Sequence, residues 1–247
     1  FGMQGSLPTH PELLDWLAVE FRETGWSTKK LHRLIVTSAT YRQSSVARAD
    51  AAAKDPLNKL LARQNRVRVE AEIIRDAALT ASGLLARKVG GPGVYPPLPA
   101  EVFSFTQNKK AWPESKGDDR YRRGMYTYIW RQSQHHLLTT FDGADAQTAC
   151  TKRNRSNTPL QALHLANDPA FVEFAEAFGQ RIEKDGPADD AGKVAFAFRL
   201  CFAREPSSDE RERVLALLES QRKSDAKTAW ARVGRVLMNL DEFVTRE

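Results

Sequence analysis

The chain has 247 residues, 41% of them hydrophobic and 28% charged, which is enough material for one large or two modest soluble domains with a buried core. No run approaches the roughly 18 to 20 consecutive apolar residues that a membrane-spanning helix needs. A formal net charge of +6 and a pI of about 9.4 favour anionic partners, whether nucleic acid, anionic lipid, or an acidic or sulfated polysaccharide.

Cys150 and Cys201 can form one bridge or none, so they make no disulfide scaffold and leave the redox compartment open. There is no C-x-x-C, no C-x-x-C-H and no H-E-x-x-H, so these zinc and haem patterns are missing. The chain starts at Phe1 without a Met and without the charged start and apolar middle of a signal peptide, and is expected to be a piece of a longer protein.

Thr9-x-x-Glu12 has the form of a capping box with Pro11 in the first turn, and Leu13, Leu14, Leu17 and Phe21 follow at helical spacing. A helix from about His10 to Thr24, ended by Gly25, is expected. Ser27 caps a second helix with Leu31, Leu34 and Ile35 as its buried stripe, making a helical hairpin. Ser44 to Asn58 is polar and rich in small residues and reads as a surface connection.

Val69, Ile73, Ala77, Ala81 and Leu84 predict a long third helix from Arg66 to Arg87. Glu72 and Asp76 share a face of it and call for a cation, from Arg75 or from an arginine further along the chain. Gly90 to Pro99 is a Gly/Pro loop that forbids helix and central strand, Phe103 to Asp119 shows no strong pattern, and within it Lys109 to Asp119 reads as an exposed loop suited to a lid.

Tyr121 to Asp168 is the least periodic and most chemically dense stretch. Tyr126 to Trp130 has high β propensity, and strand and buried helix remain equal options over Tyr121 to Trp130. Thr158-Pro159 and Asp168-Pro169 then start two helices, the second burying Phe171, Ala175, Phe178 and Ile182. After a linker at 184–192, three helices carry the stripes Val194–Phe198–Cys201, Val214–Leu217–Leu218 and Trp230–Val233–Leu237–Leu240, with Ser207-x-x-Glu210 as a capping box.

Several residues of the central stretch carry candidate chemistry. His135 and His136 permit a metal or general-base role, but adjacent side chains project differently, which argues against one shared ion. Asp142, with Asp145 nearby, invites comparison with a glycosidase carboxylate pair; the competing roles are a turn former or a buried ion pair with Arg131 or Arg153. Arg153 and Arg155 precede the helix start at Thr158, an arrangement suited to an anion, while Arg153, Gln161 and Asn167 could instead satisfy buried backbone. Arginines 120, 122, 123 and 131 interleave with Tyr121, Tyr126, Tyr128 and Trp130, a pattern that serves nucleic acid or carbohydrate.

The segments FGMQGSLPTHPELLDWLA (1–18), LHRLIVTSATYRQSS (31–45), DPLNKLLAR (55–63), VEAEIIRDAALTASGLL (69–85), RRGMYTYIWR (122–131), TFDGAD (140–145), CTKRNRSNTPLQALHLANDPAFVE (150–173), AFRLCFAREPSSDE (197–210) and LMNLDEF (237–243) together resemble the Planctomycete Secreted Domain 1 family, domain of unknown function 1553. They span essentially the whole chain in the family's order. The resemblance implies export to the periplasm or outside, a C-terminal position in a larger protein, and a c-type cytochrome domain in the same or a neighbouring chain. It implies no established reaction, and export argues against nucleic acid. A proline-rich step common in the family after 122–131 is replaced here by Gln132-Ser133-Gln134-His135-His136.

The expected fold is mainly α: an irregular helical domain with a long Gly/Pro loop, short strands as an option near 121–130, and a C-terminal helical bundle. The expected division is a main part at 1–183 and a C-terminal subdomain at 184–247. The expected function is an accessory binding domain of an exported bacterial protein, contacting an anionic polysaccharide beside a cytochrome module. The alternative is a polysaccharide-active hydrolase with its site in 121–168. Asp142 and His135 are the catalytic candidates, and Arg123, Tyr126, Arg131, Arg153, Gln161 and Asn167 the ligand-binding ones. No metal is expected, and no cofactor in this chain, with haem assigned to an upstream domain.

Overall fold

Helix dominates the structure, a computed structural model that describes residues 3–99, 112–130, 133–150 and 152–246. It is 56% helical with twelve α-helices and a single two-stranded sheet among the described residues, which is the mainly α fold expected. The chain forms two compact units that divide between Val67 and Arg68.

The first unit holds α1 (Pro11–Glu23), α2 (Thr28–Thr37), α3 (Ala39–Arg42) and α4 (Ala49–Lys54). Pro11 opens α1 as expected, but Thr9 does not cap it: its hydroxyl bonds to His10 Nδ1 at 2.9 Å, and His10 takes the N-cap position without a side-chain bond. Ser27 does cap α2, accepting from the Lys30 N–H, and Gly25 turns the chain between the helices at φ +73°. The expected surface connection contains α4, whose side chains are mostly exposed. None of these four helices has a fully buried residue, so the stripe Leu31–Leu34–Ile35 is only partly covered.

The second unit is built around α8 (Pro169–Asp185), which buries Phe171, Phe174, Ala175, Phe178 and Ile182, the apolar set legible in the sequence with Phe174 added. Complete burial of a side chain the size of Phe or Ile contributes about 1.5–3 kcal/mol. Against it pack α5 (Ala71–Ser82) and α11 (Ala229–Met238), with α7 (Pro159–Asn167), α9 (Asp190–Phe202), α10 (Ser208–Ser224) and α12 (Asp241–Val244) completing the layer. The α8 and α11 axes approach closely because Gly179 has no side chain; a Cβ there would sit 2.5 Å from the Ala231 nitrogen. Helices on both sides of position 184 thus share one core. The strands β1 (Val67–Arg68) and β2 (Thr245–Arg246) pair, and next to them the Val69 N–H donates to the Val244 carbonyl at 2.8 Å.

The predicted third helix is shorter and rotated. It runs only from Ala71 to Ser82, because Val67 and Arg68 are extended and Gly83 stops it in the left-handed region at φ 79°. Its buried face is Ala71, Ile74, Arg75, Ala78, Leu79, Ala81 and Ser82, so Ala81 of the predicted stripe is inside while Ile73 is 49% exposed. The predicted stripe includes Val69 and Leu84, which lie outside the helix and therefore do not report its phase.

Neither strand nor α-helix forms at Tyr121 to Trp130. Two 3-10 turns, Gly117–Tyr121 and Gly124–Tyr126, are followed by extended chain that makes only isolated parallel bridges, Ala86 with Arg122 and Val94 with Thr127. Side chains pin this segment: the Asp76 carboxylate accepts the Gly124 N–H at 2.6 Å, and buried Arg122 lies over the Tyr126 ring while donating to the carbonyls of Gly90 and Pro92. The Gly/Pro loop is held by Arg122 from the start of the irregular segment. Of the expected exposed loop at 109–119, positions 109–111 lie outside the described residues, and Gly117 to Asp119 belong to a 3-10 turn.

Candidate functional site

The helix α6 (His136–Thr140) starts at the dipeptide His135-His136, and the two imidazoles have different partners. His135 Nδ1 accepts the Leu137 N–H at 3.2 Å, which leaves Nε2 protonated and donating to the Pro97 carbonyl at 2.9 Å. Burial, aided by the neighbouring His136, pushes its pKa down to about 3, so His135 is a neutral, fully committed side chain.

His136 turns toward the N-terminus of α8. Its Nε2 donates to Asp168 Oδ2 at 2.5 Å, while Asp168 Oδ1 caps the helix by accepting from the N–H groups of Ala170 and Phe171. Burial favours the protonated carboxyl of Asp168, but the hydrogen bond and charge of His136, the charge of His164 and the cap outweigh it, and the pKa is lowered. His164, one turn earlier on α7, places Nε2 3.9 Å from the same Asp168 oxygen. Its pKa falls to about 4, chiefly by burial.

Potential ligand atoms of His136, His164 and Asp168 all lie within 4.8 Å of one another. His135 stacks on His136 with ring centroids 4.6 Å apart, and Phe141 and Phe171 wall in His164 edge-on. Sequence reasoning misses this grouping. The spacing of His164 and Asp168 is visible in the chain, but His136 joins them only through the packing of α6 against α7. His136 meets the distant His164, with ring centroids 4.7 Å apart, while its hydrogen bond goes to Asp168.

The other predicted residues are dispersed. Asp142 binds Arg68 at 2.5 Å and takes the N–H and hydroxyl of Ser156, so its ion pair is with Arg68 rather than with Arg153. Those bonds outweigh the effect of burial and lower its pKa. Arg153 forks onto Glu72 at 2.6 and 3.0 Å, with Glu70 at 3.6 Å, supplying the cation that Glu72 called for from the central stretch. Gln161 completes the capping box at Thr158 and donates to the Thr140 carbonyl; Asn167 donates to the Leu163 carbonyl and accepts from Arg235. The Tyr126 hydroxyl accepts the Gly90 N–H. Arg123 is exposed, and Arg131 lies outside the described residues. No disulfide joins Cys150 and Cys201.

Outside the helical core, four rings meet. Tyr95 stacks on Tyr128 at 4.8 Å, Trp112 stands edge-on to Tyr95 at 5.0 Å and to Trp130 at 5.6 Å, and Tyr128 and Trp130 close the group at 6.5 Å. None is buried, and Tyr128 is 39% exposed. Trp112 also lies 6.0 Å from His135, so the rings adjoin the histidine cluster.

No helix among the described residues is long and apolar enough to cross a membrane. No curated protein and no solved structure matches the chain. A family model described as "Protein of unknown function (DUF1553)" matches residues 1–218, in agreement with the resemblance carried by the sequence motifs. The chain belongs to the DUF1553 family.

Proposed function

We propose that this chain is a non-catalytic binding module that holds an anionic polysaccharide on the Tyr95–Trp112–Tyr128–Trp130 cluster, as part of an exported protein working beside a c-type cytochrome module. The observation that carries the reading is the cluster itself: four mutually packed rings that stay partly exposed and outside the hydrophobic core. Aromatic faces that are not buried by their own fold suit the apolar faces of sugar rings. The net charge of +6 favours an acidic or sulfated polymer over a neutral one. Export and the cytochrome neighbour rest on the family resemblance; a signal peptide and a C-x-x-C-H motif in the reading frame upstream of Phe1 would support them.

The hydrolase reading has less support. Asp142 is held by Arg68 and Ser156 and kept deprotonated, which suits a brace rather than a general acid. Affinity electrophoresis against a sulfated and a neutral polysaccharide tests the binding reading. Retardation by the sulfated polymer is expected, weakened roughly tenfold by Tyr128→Ala, a change of about 1.4 kcal/mol. Absence of retardation in both polymers, or retardation untouched by Tyr128→Ala, would refute it.

A further inference from the structure

We infer that His136, His164 and Asp168 form a binding site for a divalent transition-metal ion of zinc-like preference, separate from the proposed polysaccharide surface. Two imidazole nitrogens and one carboxylate oxygen form a donor set for zinc, cobalt or nickel rather than for magnesium or calcium, which take oxygen. Zinc-to-ligand distances of about 2.0–2.2 Å place tetrahedral donors roughly 3.3–3.6 Å apart. The separations here, 2.5 Å from His136 Nε2 and 3.9 Å from His164 Nε2 to Asp168 Oδ2, fall on either side of that range. Small side-chain rotations would therefore admit an ion in place of the proton shared by His136 and Asp168.

A structural brace accounts for only part of the arrangement. The His136–Asp168 bond ties α6 to the cap of α8, although it leaves His136 Nδ1 buried without a partner among the described residues. That bond does not explain His164. Its side chain is 8% exposed, and its Nε2 has no hydrogen-bond partner among the described residues while facing Asp168 Oδ2. Burying an unpaired imidazole nitrogen is costly, and leucine would fill the same place without that penalty. A ligand role gives Nε2 its partner.

The surroundings hold the donors in place, as second-layer contacts do in metal sites. Asp168 Oδ1 is engaged by the Ala170 and Phe171 N–H groups, which leaves Oδ2 as the single ligand oxygen. His136 is backed by the ring of His135, itself fixed between Leu137 and Pro97. The opposing influence is Arg75, a buried cation whose field reaches Asp168; it is neutralised in part by Asp76 and Glu173, which act on the same guanidinium. Three protein ligands leave at least one coordination position for water or an incoming molecule.

The experiment is titration of the tag-free chain with Zn²⁺ by calorimetry and with Co²⁺ by visible absorption, where a nitrogen-ligated ion gives ligand-field bands. One ion per chain is expected, with His32→Ala on exposed α2 binding as the parent does and His164→Leu losing both the heat and the bands. Asp168→Asn keeps a cap acceptor while losing the carboxylate, and should lose binding too; it decides the matter if His164→Leu does not fold. No stoichiometric ion in the parent chain, or binding that survives the folded variants, would overturn the inference.

Discussion

Arg68 Nη2 lies 2.5 Å from Asp142 Oδ2, joining residues 74 positions apart in a pair whose guanidinium side is almost wholly buried. The same guanidinium donates to the carbonyls of Phe141, Ser156 and Val69, so Arg68 holds the turn after α6 and the approach to α7 together. Asp142 accepts this charge from the left-handed backbone region at φ 56°, which an aspartate tolerates better than most residues.

Asp142→Ala should accordingly destabilise the chain by roughly 3 kcal/mol, because it strands a buried arginine. The check is the midpoint of urea unfolding, together with polysaccharide retardation of the folded variant, which should be unchanged. Loss of a hydrolytic activity with an unaltered midpoint would instead place Asp142 in the chemistry.

Arg204 supports a pH-dependent contribution. It forks onto Glu210 at 2.7 and 2.8 Å and onto Glu242 at 2.6 and 2.7 Å. Pairing with Arg204 draws the Glu210 pKa from 4.5 down to about 2. A carboxyl whose folded pKa is depressed stabilises the fold above its unfolded pKa and loses that contribution as pH falls through the folded one. Both side chains are more than a third exposed, so solvent screening reduces the effect to about 1 kcal/mol. Arg204→Met should be less stable than the parent by that amount at pH 7, with the gap closing between about pH 4.5 and 2 in urea titrations. A gap that persists at the acid end would assign the effect to the packing of Arg204 over Phe198 and Phe202 instead.

Gly179→Ala tests the close approach of α8 and α11. The added methyl would meet the Ala231 backbone at 2.5 Å, and backbone cannot swing aside as a side chain can. The expected cost is about 1–3 kcal/mol, read as a thermal midpoint lowered by roughly 2–4 °C for each kcal/mol. An unchanged midpoint would mean that the two helices separate freely.

Features governed by neighbours in the chain are legible in the amino-acid order alone. Pro after Thr158 or Asp168, the Ser207–Glu210 box and the 3.6-residue stripe of α8 act through the local backbone and the repeat of one helix, so sequence determines them, and the mainly α class follows from their number. The family motifs belong to the same order of information. The cation for Glu72 could also be expected from the central stretch, because two acids on one helical face demand a counter-charge.

Tertiary structure alone decided which partners meet. Asp142 pairs with Arg68 rather than Arg153, and α5 turns Ile74 inward instead of Ile73, because the shape of the whole core sets helix rotation and the reach of long arginines. Tyr126 to Trp130 is irregular chain whose turn is pinned by Asp76 at the Gly124 N–H and by Arg122 over the Tyr126 ring, contacts with residues distant in sequence. His136 reached His164 and Asp168 by the docking of α6 on α7. No spacing rule encodes that contact, since it joins residues whose separation in sequence has no period.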